Sequence, residues 1–93
     1  MIFKHAAGRE YLAAIRWYTG IRPELGIRFE VAVETAIAEV VADPQKFPVI
    51  HKTTREKIVD DFPYSVIFRF RAGRLTIIAV YNHSRKPLGW RHR

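Results

Sequence analysis

The segment FPYSVIFRFRAGRLTIIAVYNHSRKPLGW, residues 62–90, decides the fold. Its first strand is predicted from Tyr64 to Arg71, and its residues alternate between a face of Tyr64, Val66, Phe68 and Phe70 and a face of Ser65, Ile67, Arg69 and Arg71. A turn at Ala72-Gly73 leads into a second strand from Leu75 to Tyr81. Strands joined by so short a loop are antiparallel.

The second strand is apolar on both sides, which indicates a central position in the sheet. Strict alternation assigns Leu75, Ile77 and Ala79 to one face and Ile78 and Val80 to the other.

The first half of the chain carries two helical patterns. The first runs from about Gly8 to Tyr18 and the second from Glu24 to about Ala42, where Asp43-Pro44 ends it. Their connection is short enough for an antiparallel hairpin. The apolar stripe of each helix requires a surface, which the face with Val66 and Phe68 supplies.

Two further strands are weakly signalled. One runs from about Thr53 to Val59 and places Arg55 and Lys57 opposite Glu56 and Ile58, and a short one covers Ile2 to Lys4. Residues 47–50 are interpreted as a loop. The sequence therefore predicts one α+β domain, residues 1–93, with a β-α-α-β-β-β order. An N-terminal helical hairpin should pack on one face of an antiparallel three- to four-stranded sheet.

The charge of the chain is unevenly distributed. Residues 1–46 hold six Lys/Arg and six Asp/Glu, whereas residues 47–93 hold ten against three and so carry the whole net charge of +7. Such a one-sided field attracts anionic partners. No apolar run reaches the roughly 20 residues of a membrane span, and no signal peptide is recognisable. We therefore expect a cytoplasmic protein with no membrane partner.

Most chemical sites lack a sequence signal. The chain has no cysteine, and its four histidines have no spacing that places two on one helix face, so we expect no metal site. No glycine-rich loop precedes a helix, and we expect no cofactor. The sheet face opposite the helices should instead be basic, carrying Arg69 and Arg71 together with Arg55 and Lys57. Tyr81, His83 and Trp90 should lie nearby.

Metal-free RNA cleavage is the one reaction that the residues leave open. It needs a proton acceptor, a proton donor and cations around the phosphate. His83 could be the base or the acid, and the cations would be Lys57, Arg69 and Arg85. His83 could equally be a residue at the strand exit that hydrogen-bonds its own loop. No catalytic residue is assigned.

The order of these motifs resembles the ParE-like, plasmid-stabilisation branch of the RelE/ParE toxin superfamily. The likeness rests on Phe62-Pro63-Tyr64, the two strands with their turn, His83-Ser84-Arg85-Lys86-Pro87 and Trp90. In the first half, Trp17-Tyr18, Arg22-Pro23 and Leu25-Gly26 look like the family's helix-to-helix connection.

The resemblance implies the toxin of a type II toxin-antitoxin system. Its cognate antitoxin forms a stable complex with it, and ParE-like members inhibit DNA gyrase by direct binding without catalysis. The implied target-binding residues are Arg69, Arg71, Arg74, His83, Arg85, Lys86 and Trp90. The implied antitoxin-binding residues are Leu12, Ile15, Trp17, Arg55 and Lys57.

Two alternatives stay open within the superfamily. A ribosome-dependent mRNA endonuclease would use His83, Arg69, Arg85 and Lys57. Members of that branch often have a tyrosine near the C-terminus, where this chain has Trp90, and an indole cannot exchange a proton near neutral pH. Tyr81 remains a candidate for the phenol of such a site. A degenerate, non-toxic member that only binds an antitoxin is the second alternative.

Overall fold

A computed structural model describes residues 1–85 and 89–93. The fold is α+β, as predicted, with two helices followed by most of a five-stranded sheet. The elements are β1 Ile2–Phe3, α1 His5–Ile21, α2 Pro23–Ala42, a 3-10 turn Pro44–Lys46, β2 Val49–His51, β3 Thr54–Ile58, β4 Tyr64–Arg71 and β5 Arg74–Asn82. Neither helix of this described part has the combination of length and apolar character that a bilayer crossing requires.

The helices form a hairpin with a single connecting residue. Arg22 is extended at φ −158° and ψ 137°, and Pro23 begins α2, where its missing N–H has no helical partner to lose. The turn brings Gly26 against Thr19. A Cβ on Gly26 would collide with the Thr19 side chain and lie 3.1 Å from the Thr19 Cα, so the close approach of the helices requires glycine.

The strand order is β1-β5-β4-β3-β2. The prediction of a purely antiparallel sheet with three or four strands is wrong in two respects. β1 pairs in parallel with β5, which makes the sheet mixed, and Val49–His51 forms the edge strand β2 where a loop was predicted. The central position of β5 is confirmed, since β1 and β4 flank it.

A bulge in β5 changes the predicted faces of that strand. Ile67 pairs with Ala79 and Phe68 with Ile77, so Ile78 has no partner in β4. Ile78 and Ala79 consequently both face away from the helices, while Val80 packs in the core between helices and sheet. The alternation that placed Ala79 with Leu75 and Ile77 is therefore wrong.

An aromatic cluster fills the main core under the helical hairpin. The Phe29 ring lies 5.0 Å from Tyr18, 5.1 Å from Phe62 and 5.0 Å from Tyr64, measured between centroids. These distances suit favourable edge and tilted ring contacts. Phe62 and Tyr64 thus anchor the entry to β4 against α2.

We expect Gly26→Ala to lower the free energy of unfolding by about 1–3 kcal/mol, because the added methyl group overpacks the contact with Thr19. Thermal and urea unfolding of the purified chain would measure this. Gly8→Ala is the matched control: Gly8 also lies in a helix, has open space around its Cβ position, and should gain up to about 1 kcal/mol. Equal effects of the two substitutions would contradict the proposed helix contact.

Candidate functional site

The sheet face opposite the helices, called here the far face, carries its own small apolar cluster. Ile67, Ile78 and Ala79 are buried there beneath Trp90, which is only 3% exposed. The His51 ring lies 6.1 Å from the Trp90 ring. Trp90 was predicted to contact a target, but its burial leaves the indole unavailable for stacking on one.

The C-terminal segment that carries Trp90 continues to Arg93, which lies at the edge of the sheet. Its Nη1 and Nη2 atoms donate to the Glu10 carboxylate at 2.8 and 2.9 Å, and Nη1 also donates to the Ile78 carbonyl at 3.2 Å. Glu10 Oε1 in turn accepts the Val80 N–H at 3.1 Å. β1 pairs only with Thr76 and Ile77, so this ion pair satisfies backbone groups of β5 that no described strand reaches.

Three polar side chains meet on the far face. They belong to Glu56 of β3, Ser65 of β4 and His83, which follows β5. Ser65 Oγ donates to Glu56 Oε2 at 2.7 Å and lies 2.7 Å from His83 Nε2. Because an ionised carboxylate only accepts, the Ser65 hydrogen is used there, and His83 Nε2 must donate to Ser65. Ser65 is completely buried and is therefore no candidate nucleophile.

Glu56 and His83 line a shallow cavity of about 290 Å³, called here the His83 cleft. Its walls also include Tyr81 and Arg85, and the Tyr81 hydroxyl donates to the Arg85 carbonyl at 3.3 Å. With Nε2 engaged, His83 keeps Nδ1 for proton exchange. The cleft thus combines an imidazole, a phenol, a carboxylate and one guanidinium, a set that can move protons near an anion.

The predicted cations divide into separate groups. Arg69, Arg71 and Arg74 lie at the β4–β5 hairpin, and Arg69 is four residues from Ser65, about 13 Å along the strand. Arg85 lies at the His83 cleft, and Lys86 is outside the described residues. No carboxylate in residues 1–85 or 89–93 forms an ion pair with these four arginines.

Arg55 and Lys57 do not belong to the far face, which corrects the prediction. They pair with Phe68 and Val66 on the helix side of the sheet. Arg55 donates to the carbonyls of Phe47 at 2.6 Å and Gln45 at 3.1 Å. Lys57 lies 2.8 Å from Glu39 of α2 and holds the pKa of that carboxyl below its usual value. Lys57 is thus on the other side of the sheet from His83 and cannot share a phosphate with it.

The far face is also cationic beside β2. The pKa of His51 is lowered, first by burial and then by repulsion from Arg91 and Lys52. A protonated His51 would add a third positive charge to this corner. The region therefore disfavours further cations and favours an anionic neighbour.

The apolar residues predicted to bind an antitoxin are distributed over two sides of α1. Leu12 is 53% exposed and Trp17 is 66% exposed, whereas Ile15 packs partly against the core. Trp17 lines a groove of about 770 Å³ between α1 and the edge of β5. We call it the edge groove, and its other walls are formed by Arg9, Ala13, Val80, Arg85 and Arg93.

Sequence reasoning missed Glu10, Glu56 and Ser65 as functional-site residues. The alternation of β4 placed Ser65 on the far face, and that of β3 placed Glu56 opposite Lys57. Their convergence with His83 depends on the register of three segments, which alternation does not supply.

Comparisons with known proteins assign neither a family nor a function to this chain. No protein-family model matches the chain, and no curated protein matches it.

We expect Glu10→Ala to cost about 1–3 kcal/mol in the free energy of unfolding, because it leaves the Val80 N–H without its acceptor and Arg93 without its carboxylate partner. A double-mutant cycle with Arg93→Ala should give a coupling energy of about 0.5–3 kcal/mol. Urea unfolding of the four proteins measures it. Glu30→Ala, at an exposed helix position, should change stability by less than about 0.5 kcal/mol. Additive effects of Glu10→Ala and Arg93→Ala would show that the ion pair is not coupled.

Proposed function

We propose that this chain is the toxin of a type II toxin-antitoxin system, that it inhibits DNA gyrase by direct binding, and that a cognate antitoxin neutralises it. The observation that carries the proposal is the wide distribution of the arginines that form no ion pair with any carboxylate of residues 1–85 or 89–93. Arg69, Arg71 and Arg74 lie at one end of β4 and β5, and Arg85 lies at the other. This arrangement suits an extended anionic surface of a large partner better than a single phosphate.

The rigidity of the far face supports a binding role. β4 and β5 are paired along their length, and the buried Trp90 closes the apolar centre between the two cationic ends. Arginines on such a scaffold lose little backbone freedom on association. A preformed surface of this kind needs no reaction to inhibit a protein machine.

Exposed apolar side chains on α1 support a second, neutralising partner. Leu12 and Trp17 are large and more than half exposed, and aromatic residues of this kind often dominate binding energy at protein interfaces. The proposed antitoxin contacts therefore centre on α1. Arg55 and Lys57 are less suited than the sequence suggested, because both are engaged within the fold.

The proposal predicts loss of gyrase-catalysed supercoiling, or accumulation of cleaved DNA, as the purified chain is added to gyrase. In vitro translation measured in parallel should be unchanged. Arg71→Glu should raise the concentration needed for inhibition by about tenfold, because it replaces attraction with repulsion at the target surface. Arg28→Glu makes the same charge change on the exposed side of α2 and should have little effect. If gyrase-catalysed supercoiling and DNA cleavage were unchanged at every concentration, the proposal that the chain inhibits gyrase would be excluded.

A ribosome-dependent mRNA endonuclease is the second candidate, and the His83 cleft is the observation that favours it. His83, Tyr81 and Arg85 line one cavity together with Glu56. His83 could accept or deliver a proton through Nδ1, and Arg85 could stabilise negative charge on the phosphate. Lys57 has no place in this candidate site.

His83→Gln separates catalysis from binding. A glutamine amide can still donate to Ser65 but cannot exchange protons, so a nuclease should lose mRNA cleavage by about a hundredfold or more. His92→Gln, at an exposed position, is the control. Cleavage of ribosome-bound mRNA is the readout. Retained toxicity of His83→Gln with intact translation would exclude the nuclease, and silence in both the gyrase and translation assays would favour a degenerate, antitoxin-binding member.

A further inference from the structure

We propose that the exposed side of α2 binds a second copy of this chain, with the two α2 helices antiparallel and Val31 at the two-fold axis. The inference goes beyond the proposed function, which concerns other partners and other surfaces. It assigns the chain a self-complementary dimer interface on the helical layer. This layer lies on the opposite side of the sheet from the far face.

The exposed apolar side chains of α2 provide the first reason. Ile27, Val31 and Val41 are each more than half exposed, and Ala38 is exposed between the last two. Their intervals of four, seven and three residues place them along one side of the helix. The opposite side, which includes Phe29, is already buried in the core. A helix that is apolar on both sides is expected to pack against a second surface.

The charges on either side of Val31 provide the second reason. Arg28 lies three residues before it and Glu34 three residues after it, and both are exposed. When two such helices run antiparallel with Val31 opposite Val31, Arg28 of each copy lies opposite Glu34 of the other. In a parallel pair each of these charges would instead lie opposite its own equivalent. The charge pattern therefore favours a second copy in the antiparallel orientation.

The two charged groups are available for such contacts. No carboxylate in residues 1–85 or 89–93 forms an ion pair with Arg28. Glu34 Oε2 accepts a hydrogen bond from the Tyr11 hydroxyl at 3.1 Å. This contact restricts the Glu34 side chain and leaves the carboxylate with further acceptor sites. Two intermolecular ion pairs would thus flank the pair of Val31 side chains.

The charges also decide between two antiparallel registers. A pair centred on Glu34 would bring Ile27 close to Val41 of the other copy, but it would place the two Glu34 carboxylates side by side. Like charges at an interface are strongly unfavourable. In the register centred on Val31 the helices overlap over residues 23–39, which is about 25 Å of helix. Val41 lies outside this overlap.

Sedimentation velocity of the purified chain over a range of concentrations tests the proposal. We expect a reversible shift from the mass of one chain to twice that mass. Val31→Lys should abolish the shift, because it places two ammonium groups at the axis. Val41→Lys is the matched control, since it makes the same change at a similarly exposed valine of the same helix. It should leave the shift unchanged.

Charge reversal tests the register independently. Arg28→Glu and Glu34→Arg should each weaken self-association about tenfold, because each places like charges opposite one another. The double variant exchanges the two charges and should associate nearly as well as the wild-type chain. A mixture of the two single variants should form heterodimers, in which every pair is again of opposite sign.

Several outcomes would overturn the proposal. They are a monomer at every concentration, an equal loss for Val31→Lys and Val41→Lys, and a double charge variant that associates no better than the single ones. If the chain is monomeric and Val31→Lys abolishes binding to vesicles of anionic lipid, the apolar side of α2 serves a membrane surface instead.

Gyrase inhibition is a separate readout. The far face lies on the other side of the sheet, so Val31→Lys should leave gyrase inhibition unchanged. A chain that dimerises but does not inhibit gyrase would contradict the proposed gyrase inhibition alone. A monomeric chain that inhibits gyrase would contradict the dimer alone.

Discussion

The bulge in β5 is the constraint on which both faces of the sheet depend. Ile78 has no partner in β4, so it joins Ala79 on the far face and lets Val80 enter the main core. Trp90 packs on the apolar surface that Ile78 and Ala79 form on the far face. The Ile78 carbonyl and the Val80 N–H then meet Arg93 and Glu10. A regular strand would instead turn Tyr81 towards the helices and deprive the His83 cleft of its phenol.

The sheet also decides which cations a partner can reach. Arg55 and Lys57 hold the 3-10 turn and α2 against β3, so their charged groups are occupied by contacts within the fold. Arg93 is likewise committed to Glu10. The excess charge in the second half of the chain therefore overstates the available basic surface. Within the part of the chain that the structure describes, the remaining positive charge is concentrated at the β4–β5 hairpin, at Arg85 and beside His51.

Local periodicity predicted the helical hairpin and the bounds of β4, because each of these segments buries one regular stripe. It failed for β2, whose three residues follow Pro48 and show no alternation. It also failed for the faces of β5, since alternation assumes a regular strand. Local periodicity could not predict the partners of Ser65 and Arg93. Glu10 and Arg93, for example, are 83 positions apart, and only the tertiary fold brings them together.

The geometry around His83 bears on the choice between binding and catalysis. Its imidazole is held by Ser65, itself held by Glu56, which costs side-chain entropy that a freely solvated histidine would keep. A fixed imidazole suits either recognition or proton transfer. Catalysis, however, needs its cations around one phosphate, and Arg69 lies about 13 Å along the strand from Ser65. Among the described lysines and arginines, only Arg85 lines the cleft with His83. This spacing is too wide for a single scissile phosphate, whereas the proposed binding of a large target at two separated points would use both groups of cations.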